Sequence, residues 1–143
     1  AGANAVIMNL EIADSSLRKK ICPGKSNITY EHYHKALKKA VELFGWGQVS
    51  SVLIGGIQPK EDIIAECEKL TEIGVFPTIM PFRPMDNCDY NFLKPCAPDD
   101  LIEMSNKLGA MLVKYKLPPF MQEGCTKCGG CSIENECYYS KEK

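Results

Sequence analysis

Apolar positions fall into three strand-like runs, each followed by a segment with helical spacing. The runs read NAVIMNLEI, QVSSVLIGG and VFPTIMPF, and short runs rich in branched apolar residues favour buried strands. The apolar residues of the segments that follow recur at helical intervals: Tyr33, Leu37, Ala40, Val41 and Phe44; Ile63, Ile64, Cys67 and Leu70; and Leu101, Ile102, Leu108 and Leu112. Three strand-helix units predict parallel strands joined by crossovers, as in barrels or doubly wound sheets.

The segments between these units are predicted to be loops. The polar stretch ADSSLRKKICPGKSN follows the first run, and RPMDNCDYNFLKPCAP follows the third. Pro118 and Pro119 end the last helix, because proline cannot continue one. Beyond that helix, residues 118–143 show no periodicity and are interpreted as a separate Cys-rich tail. The chain starts almost directly on its first strand, and three units make a small sheet with an open edge, so we expect half of a larger fold.

Charge and composition argue against several classes of partner. The 143 residues carry 17 Lys+Arg and 18 Asp+Glu, with no block of like charge that would bind nucleic acid or a membrane surface. No apolar run reaches the roughly 18 residues of a membrane span, and no basic segment leads into an apolar one at the N-terminus. We therefore expect a cytoplasmic protein without nucleic-acid or membrane partners. Thiols stay reduced in that compartment, so the four cysteines clustered near the C-terminus favour metal binding over disulfides, while the even count of eight cysteines leaves a disulfide framework as an alternative.

Two polar residues end the first predicted strand. Alternation places Asn9 and Glu11 on one face together with Ile7, and parallel strands place ligands at their C-terminal ends. A buried carboxylate without a partner is costly, so Asn9 and Glu11 form a candidate ligand site. The alternative is a Glu11 that is paired internally or exposed at the rim. Lys25, within CPGK, and Arg18 could meet an anionic ligand on the same face, although Pro-Gly is also an ordinary turn signal.

Further candidates follow the second and third runs. Gly55 and Gly56 would let a ligand approach the backbone closely, unless they serve only a tight turn. Arg83 lies between two prolines that stiffen its loop, which would hold its guanidinium near the same rim; the alternative is a surface arginine. His32 and His34, early in the first long helix, are expected to be solvated.

The tail has the residue types and spacing of a metal site. Its four cysteines are spaced C-x2-C-x2-C-x5-C: Cys125, Cys128, Cys131 and Cys137. Gly129 and Gly130 between them let the backbone fold tightly. Three closely spaced thiolates plus a fourth favour a 4Fe–4S cluster over zinc, which usually binds separated pairs of cysteines. Zinc, disulfides and uncoordinated thiols remain as alternatives.

Three stretches of the chain resemble a known family: NLEIADSSLRKKICPGKSNITYEHYHKALKKAVELFG, VSSVLIGGIQPKEDI and PTIMPFRPM. They are similar to the C-terminal half of radical SAM enzymes of the biotin-synthase-like branch, which includes hydrogenase maturases and methylornithine synthase. The resemblance implies a partial TIM-type barrel of three parallel strand-helix units over residues 1–117, with the Cys-rich tail over residues 118–143. It also implies an enzyme that cleaves S-adenosylmethionine (SAM) to a 5′-deoxyadenosyl radical, which abstracts hydrogen from a small organic substrate. The electrons would come from a reductant such as ferredoxin or flavodoxin.

The resemblance implies roles for single residues. Asn9 and Glu11 would bind the ribose and amino groups of SAM. The turn that contains Gly55 and Gly56 would lie near the adenine, and Arg83 belongs to a matching P-x-R-P segment. No catalytic residue is assigned.

Two departures from the family pattern matter for function. Tyr33 stands where relatives carry an arginine for the SAM carboxylate, which leaves Lys25 or Arg18 as substitutes. The C-x3-C-x2-C motif for the cluster that chelates SAM is absent. We therefore expect the N-terminal half of the barrel on the same or another chain, and an auxiliary cluster in the tail. Two other classes of function stay open: a non-catalytic iron–sulfur or zinc module with an α/β docking domain, and a stand-alone binding domain that dimerises to cover its open edges.

Overall fold

Residues 2–121 and 124–140 are described by a computed structural model, without the side chain of Cys125. Three strands form one sheet, in the order β1 (Val6–Ile7), β2 (Val49–Gly55) and β3 (Val75–Pro81), and both neighbouring pairs are parallel. The helices in this part of the chain are α1 (Ser15–Ile21), α2 (Tyr30–Phe44), α3 (Lys60–Glu72), α4 (Pro98–Lys114) and α5 (Glu134–Tyr139). Short 3-10 helices lie at Pro23–Lys25 and Cys125–Cys128. The predicted α/β fold with three parallel strands is confirmed, and one open sheet is consistent with part of a barrel.

The hydrophobic core lies between the sheet and helices α2, α3 and α4. Leu53 of β2 and Ile79 of β3 belong to it and are completely buried. The helices contribute further side chains that are at most 1% exposed: Leu37, Ile63, Leu70, Met104, Leu108 and Leu112. Each such side chain stabilises the fold by roughly 1.5–3 kcal/mol, which holds the helices on this face of the sheet. None of the described helices is long and apolar enough to cross a membrane.

The first strand is shorter than predicted, because one extra residue interrupts its pairing with β2. Ile7 lies opposite Ser50, and Glu11 lies opposite Leu53, so four steps along the first strand match three steps along β2. An extra residue on one strand of a pair is a β-bulge, which bends the strand and redirects its side chains. The regular strand predicted over residues 4–12 is thus corrected to a short β1, a bulge and an isolated bridge at Glu11.

A helix, α1, occupies part of the segment that was predicted to be a loop after the first strand. Asp14 is its N-cap: the Asp14 Oδ1 atom accepts hydrogen bonds from the Leu17 amide at 2.6 Å and the Ser16 hydroxyl at 2.8 Å. Aspartate at this position is a helix start signal, which the polarity of the stretch concealed. The guanidinium of Arg18 stacks over the Tyr33 ring at 4.1 Å, which connects α1 to α2.

The segment interpreted as a separate tail packs against the rest of the chain. Met121 is completely buried in the core. Gly109 of α4 approaches α5 so closely that an added Cβ would lie 2.7 Å from the carbonyl carbon of Cys137. At the edge of β3, the Glu134 Oε1 atom accepts a hydrogen bond from the Ile79 amide at 2.6 Å. Contacts therefore join the tail to both the helices and the sheet, while the domain boundary stays a prediction.

Replacing Glu134 with glutamine should stabilise the chain at pH 8 and change little at pH 4. Burial raises the pKa of Glu134, although hydrogen bonds from Ser132 and from the Ile79 amide oppose the shift. The raised pKa means that folding favours the protonated Glu134 carboxyl. The stabilisation that protonation gives is present at low pH and is lost as the pH rises through the pKa of Glu134 in the folded chain. Glutamine keeps a side-chain oxygen that can accept the hydrogen bond from the Ile79 amide, but it cannot ionise.

Urea unfolding at the two pH values measures this effect. We expect Glu134→Gln to raise the free energy of unfolding by about 1 kcal/mol at pH 8. The matched control is Glu61→Gln, an exposed glutamate in the first turn of α3, since Glu134 lies in the first turn of α5. A difference between Glu134→Gln and wild type that is the same at both pH values would contradict the assignment.

Candidate functional site

A cavity of about 490 Å³ lies at the C-terminal ends of the strands. Its walls come from all three strands and from the tail: Ile7, Asn9, Glu11, Val52, Ile54, Met80, Pro81, Phe82, Arg83 and Thr126. Val52 and Ile54 alternate along β2 with Leu53, which packs into the core, so the cavity lies on the face of the sheet opposite the helices. The structure thus brings Asn9, Glu11 and Arg83 together at one cavity, which we call the strand-end cavity. Their binding role stays a prediction.

The β-bulge sets the position of Asn9 and Glu11. The Asn9 Oδ1 atom accepts a hydrogen bond from the Val52 amide at 3.3 Å, so a side chain takes the place of a backbone acceptor in the ladder. Glu11 has a φ of 66°, in the left-handed region that few residues other than glycine adopt. Its amide donates to the Val52 carbonyl at 2.8 Å, and its carbonyl accepts from the Ile54 amide at 2.9 Å. Both neighbours on β2 therefore hold Glu11 in a strained conformation, which is a feature found often at functional sites.

Lys25 is the cation beside this pair. Its Nζ atom lies 2.8 Å from Glu11 Oε1 and donates to the Asn9 carbonyl at 3.1 Å. The side chain of Glu11 is 19% exposed and that of Lys25 is 38% exposed, so the ion pair is open to solvent on one side. Burial, and next the charge of Glu11, raise the pKa of the neighbouring Cys22 thiol, which makes that thiol a poor nucleophile.

Hydroxyl groups line the same face of the sheet. The Thr126 side chain, from the tail, lines the strand-end cavity, and its Oγ1 atom is buried without a hydrogen-bond partner among the described residues. The same holds for the buried hydroxyls of Ser50 and Thr78, which share this face with Val52 by alternation and register. Nothing in the sequence pattern indicates Thr126, because it lies between cysteines in a segment without periodicity. The Thr126 hydroxyl can accept or donate hydrogen bonds to a polar ligand in the cavity, whereas Ser50 and Thr78 lie outside its lining.

Gly55 and Gly56 do not line the strand-end cavity. A Cβ at Gly55 would lie 3.3 Å from the Cys96 sulfur, and one at Gly56 would lie 2.8 Å from the Cys96 Cα. Gly56 also has a φ of 96°, which side chains rarely allow. These glycines therefore let the chain near Cys96 approach the end of β2 closely. Their role near the adenine of SAM stays a prediction.

Two cations were suggested in place of the arginine that relatives use for the SAM carboxylate. They are Arg18 and Lys25, and they lie in different places. Lys25 contacts Glu11, and it lines a second cavity of about 320 Å³ together with Asn9, His32 and Tyr33. Arg18 lines neither of these cavities, because it is buried between α1 and α2. Of the two, Lys25 is the cation that the structure places at the Asn9 and Glu11 site.

The described cysteines of the tail do not assemble a metal site by themselves. Cys128 and Cys131 are exposed, while Cys137 is buried in α5. Among the side chains described in residues 2–121 and 124–140, no three of the types His, Cys, Asp and Glu lie close enough to hold a metal ion. The Cys125 side chain lies outside the described residues, so the four-cysteine cluster stays a prediction.

One buried polar cluster was missed from the sequence. Glu66 of α3 is 1% exposed, and it accepts hydrogen bonds from the Tyr30 hydroxyl at 2.7 Å and contacts His34 Nε2 at 2.6 Å. Burial raises the pKa of Glu66, but these bonds to His34 and Tyr30 outweigh it and the pKa is lowered. The expectation that His34 is solvated is thus wrong, because the partner on α3 could not be seen from the spacing within α2. The cluster joins the two helices.

Comparison with known proteins relates the chain to a curated enzyme. No family model matches the chain. The chain is similar to the bacteriochlorophyllide c C-7(1)-hydroxylase of Chlorobaculum limnaeum, with 30% identity over 119 residues. The match covers 81% of this chain but 29% of that enzyme, so the chain spans less than a third of the length of the relative. The finding relates this chain to part of an enzyme.

Proposed function

We propose that the chain is the C-terminal part of a radical SAM enzyme and that its strand-end cavity binds SAM. The observation that carries the proposal is the bulge at Glu11. It holds a strained glutamate at the C-terminal end of a parallel strand, with its carboxylate at a cavity shared with Asn9 and Arg83. The similarity to a hydroxylase supports an enzyme, and the resemblance of the motif-bearing stretches supports the radical SAM relationship.

The residues of the cavity fit the chemical groups of SAM. A volume of about 490 Å³ is in the usual range for small-molecule sites. The carboxylate of Glu11 can accept hydrogen bonds from ribose hydroxyls or an amino group, and the Asn9 amide nitrogen can donate to an oxygen. Lys25, which lines the second cavity and contacts Glu11, is the cation that would pair with the SAM carboxylate. The unpartnered Thr126 hydroxyl gives the cavity a further polar group.

When bound, SAM would supply a 5′-deoxyadenosyl radical for hydrogen abstraction from a small organic substrate. The residues of this chain would bind and orient SAM, and the tail would help to exclude water, because Thr126 closes one side of the cavity and Gly124 packs against Ile7. The described tail cysteines do not by themselves fit a cluster, so no step is derived from one.

The proposal requires partners that would complete the barrel and deliver electrons. The outer edge of β1 pairs with no other described strand, and this edge would receive the N-terminal half of the barrel, on the same or another chain. That half would carry the cluster that chelates SAM, and a ferredoxin or flavodoxin would reduce it. The substrate pocket would then form between the two halves.

Formation of 5′-deoxyadenosine tests the proposed function. The complete protein, with its N-terminal half present, should be purified without oxygen and incubated with SAM and a strong reductant. We expect 5′-deoxyadenosine and methionine in equal amounts, with neither product when the reductant is omitted. Loaded iron–sulfur protein that forms no 5′-deoxyadenosine would contradict the proposal and favour a non-catalytic iron–sulfur module.

A further inference from the structure

A separate cavity between α1 and α2 contains a buried arginine. Its volume is about 320 Å³, and its lining includes Arg18, Lys19, Ile28, Tyr30 and Glu31. Arg18 is 3% exposed, although arginine is rarely buried without partners. It lies outside the strand-end cavity, whose lining contains none of these five residues.

One edge of the Arg18 guanidinium has no hydrogen-bond partner in the described part of the chain. The Nη1 atom donates to the Ile28 carbonyl at 3.1 Å, and the face of the group stacks on the Tyr33 ring at 4.1 Å. The Nε and Nη2 atoms are buried without a partner among the described residues. In a planar guanidinium these two N–H groups point in parallel, and together they match the two oxygens of a carboxylate or phosphate. The stacking and the bond to Ile28 hold this fork in one orientation.

The N-terminus of a long helix opens on the same cavity. α2 has 15 residues, and Thr29 is its N-cap, whose Oγ1 atom accepts the His32 amide at 3.2 Å. The amides of Tyr30 and Glu31, in the first turn, have no acceptor within the helix and lie at its positive dipole end. Helix N-termini of this kind bind anions readily. The buried fork and the helix end are independent features that favour the same ligand charge.

We propose that this cavity binds a small oxyanion, a carboxylate or phosphate group, through the Nε and Nη2 atoms of Arg18 and the first-turn amides of α2. Lys19 at the exposed rim adds positive charge, while Glu31 at the rim opposes it. An oxyanion would satisfy the two buried donors, which otherwise carry the cost of unpaired groups. The site is distinct from the strand-end cavity and does not depend on SAM binding there.

Nuclear magnetic resonance titration tests this proposal directly. The ¹⁵N-labelled chain of 15.9 kDa is titrated with potassium phosphate and with potassium acetate, against potassium chloride at equal ionic strength. We expect saturable shifts of the Arg18 Nε–H signal and of the Tyr30 and Glu31 amides with at least one oxyanion, and none with chloride. A response to phosphate alone assigns a phosphate ligand, and a response to acetate assigns a carboxylate. No saturable shift with either would overturn the proposal.

The location of the site is tested in the same spectra. The signals of Asn9, Glu11 and Lys25 should stay unchanged while those around Arg18 shift. If both groups of signals shift with one dissociation constant, the anion binds at the strand-end site and the separate site does not exist.

Two substitutions test the residues that hold the anion, and a third is their control. Arg18→Lys keeps the charge but cannot present two parallel donors, so the affinity should fall about tenfold. Because Arg18 is buried and its variant could fail to fold, Lys19→Gln on the exposed rim gives a second test, with an expected loss of about threefold. Lys20→Gln is its control, since it removes the same charge outside the cavity lining. Equal losses in Lys19→Gln and Lys20→Gln would reduce the binding to a general charge effect and overturn the site.

Discussion

Replacing Glu11 with glutamine in the complete protein should weaken SAM binding by about tenfold or more, because hydrogen bonds to a charged group contribute more than neutral ones. Glutamine has nearly the same size, and it can keep the backbone bonds of Glu11 to Val52 and Ile54. The charge is what the substitution removes. The loss should therefore appear in affinity, while the thermal midpoint changes little.

Calorimetric titration of SAM into the reconstituted protein measures the change. Glu42→Gln is the matched control, because Glu42 is exposed and pairs with Lys39 at 2.7 Å, as Glu11 pairs with Lys25 at 2.8 Å. Affinity that is unchanged in Glu11→Gln would remove Glu11 from the SAM site. Affinity lost equally in the control variant would mean that general charge, and not the position of Glu11, determines binding.

Replacing Gly56 with alanine should destabilise the chain by roughly 2–4 kcal/mol, because a Cβ would both strain a left-handed backbone and overlap a neighbouring segment. The overlap is with backbone: the added Cβ would lie 2.8 Å from the Cys96 Cα. The Cys96 amide donates to the Phe82 carbonyl at 3.3 Å, so the displaced segment is connected to the residue next to Arg83. We therefore expect Gly56→Ala to displace Arg83 from its place in the wall of the strand-end cavity, in addition to lowering the free energy of unfolding.

Urea unfolding of Gly56→Ala beside Gly24→Ala separates this contact from the general effect of removing a glycine. At Gly24 an added Cβ would have no atom of the described residues within 4 Å, and the backbone there does not require a positive φ. The control should unfold within about 0.5 kcal/mol of the wild type. A Gly56→Ala variant that is equally stable would show that the chain near Cys96 can move away at no cost.

Local sequence patterns were sufficient to predict the sheet and the long helices. The apolar runs that contain β2 and β3 are bounded by turns, and the helical spacing of Leu37, Ile63 and Leu108 marks buried faces. The convergence of Asn9, Glu11 and Arg83 also follows from simple geometry, because the C-terminal ends of parallel strands lie at one edge.

Features that depend on residues distant in the sequence could not be predicted. The bulge at Glu11 requires the register with β2, where the Ser51 hydroxyl accepts the Leu10 amide at 3.0 Å. The place of Thr126 depends on how the tail packs on the sheet. The Arg18 cavity depends on α1, which a polar segment concealed. In each case the feature depends on a contact between residues that are distant in the sequence, and no local pattern of apolar and polar residues contains that contact.

A crystal structure of the complete protein with SAM would show whether the strand-end cavity is the SAM site. We expect SAM in that cavity, with a Glu11 carboxylate oxygen at about 2.6–3.2 Å from a ribose hydroxyl or the amino group, and with Lys25 at the SAM carboxylate. SAM bound elsewhere, or bound without contact to Glu11 and Asn9, would contradict this assignment.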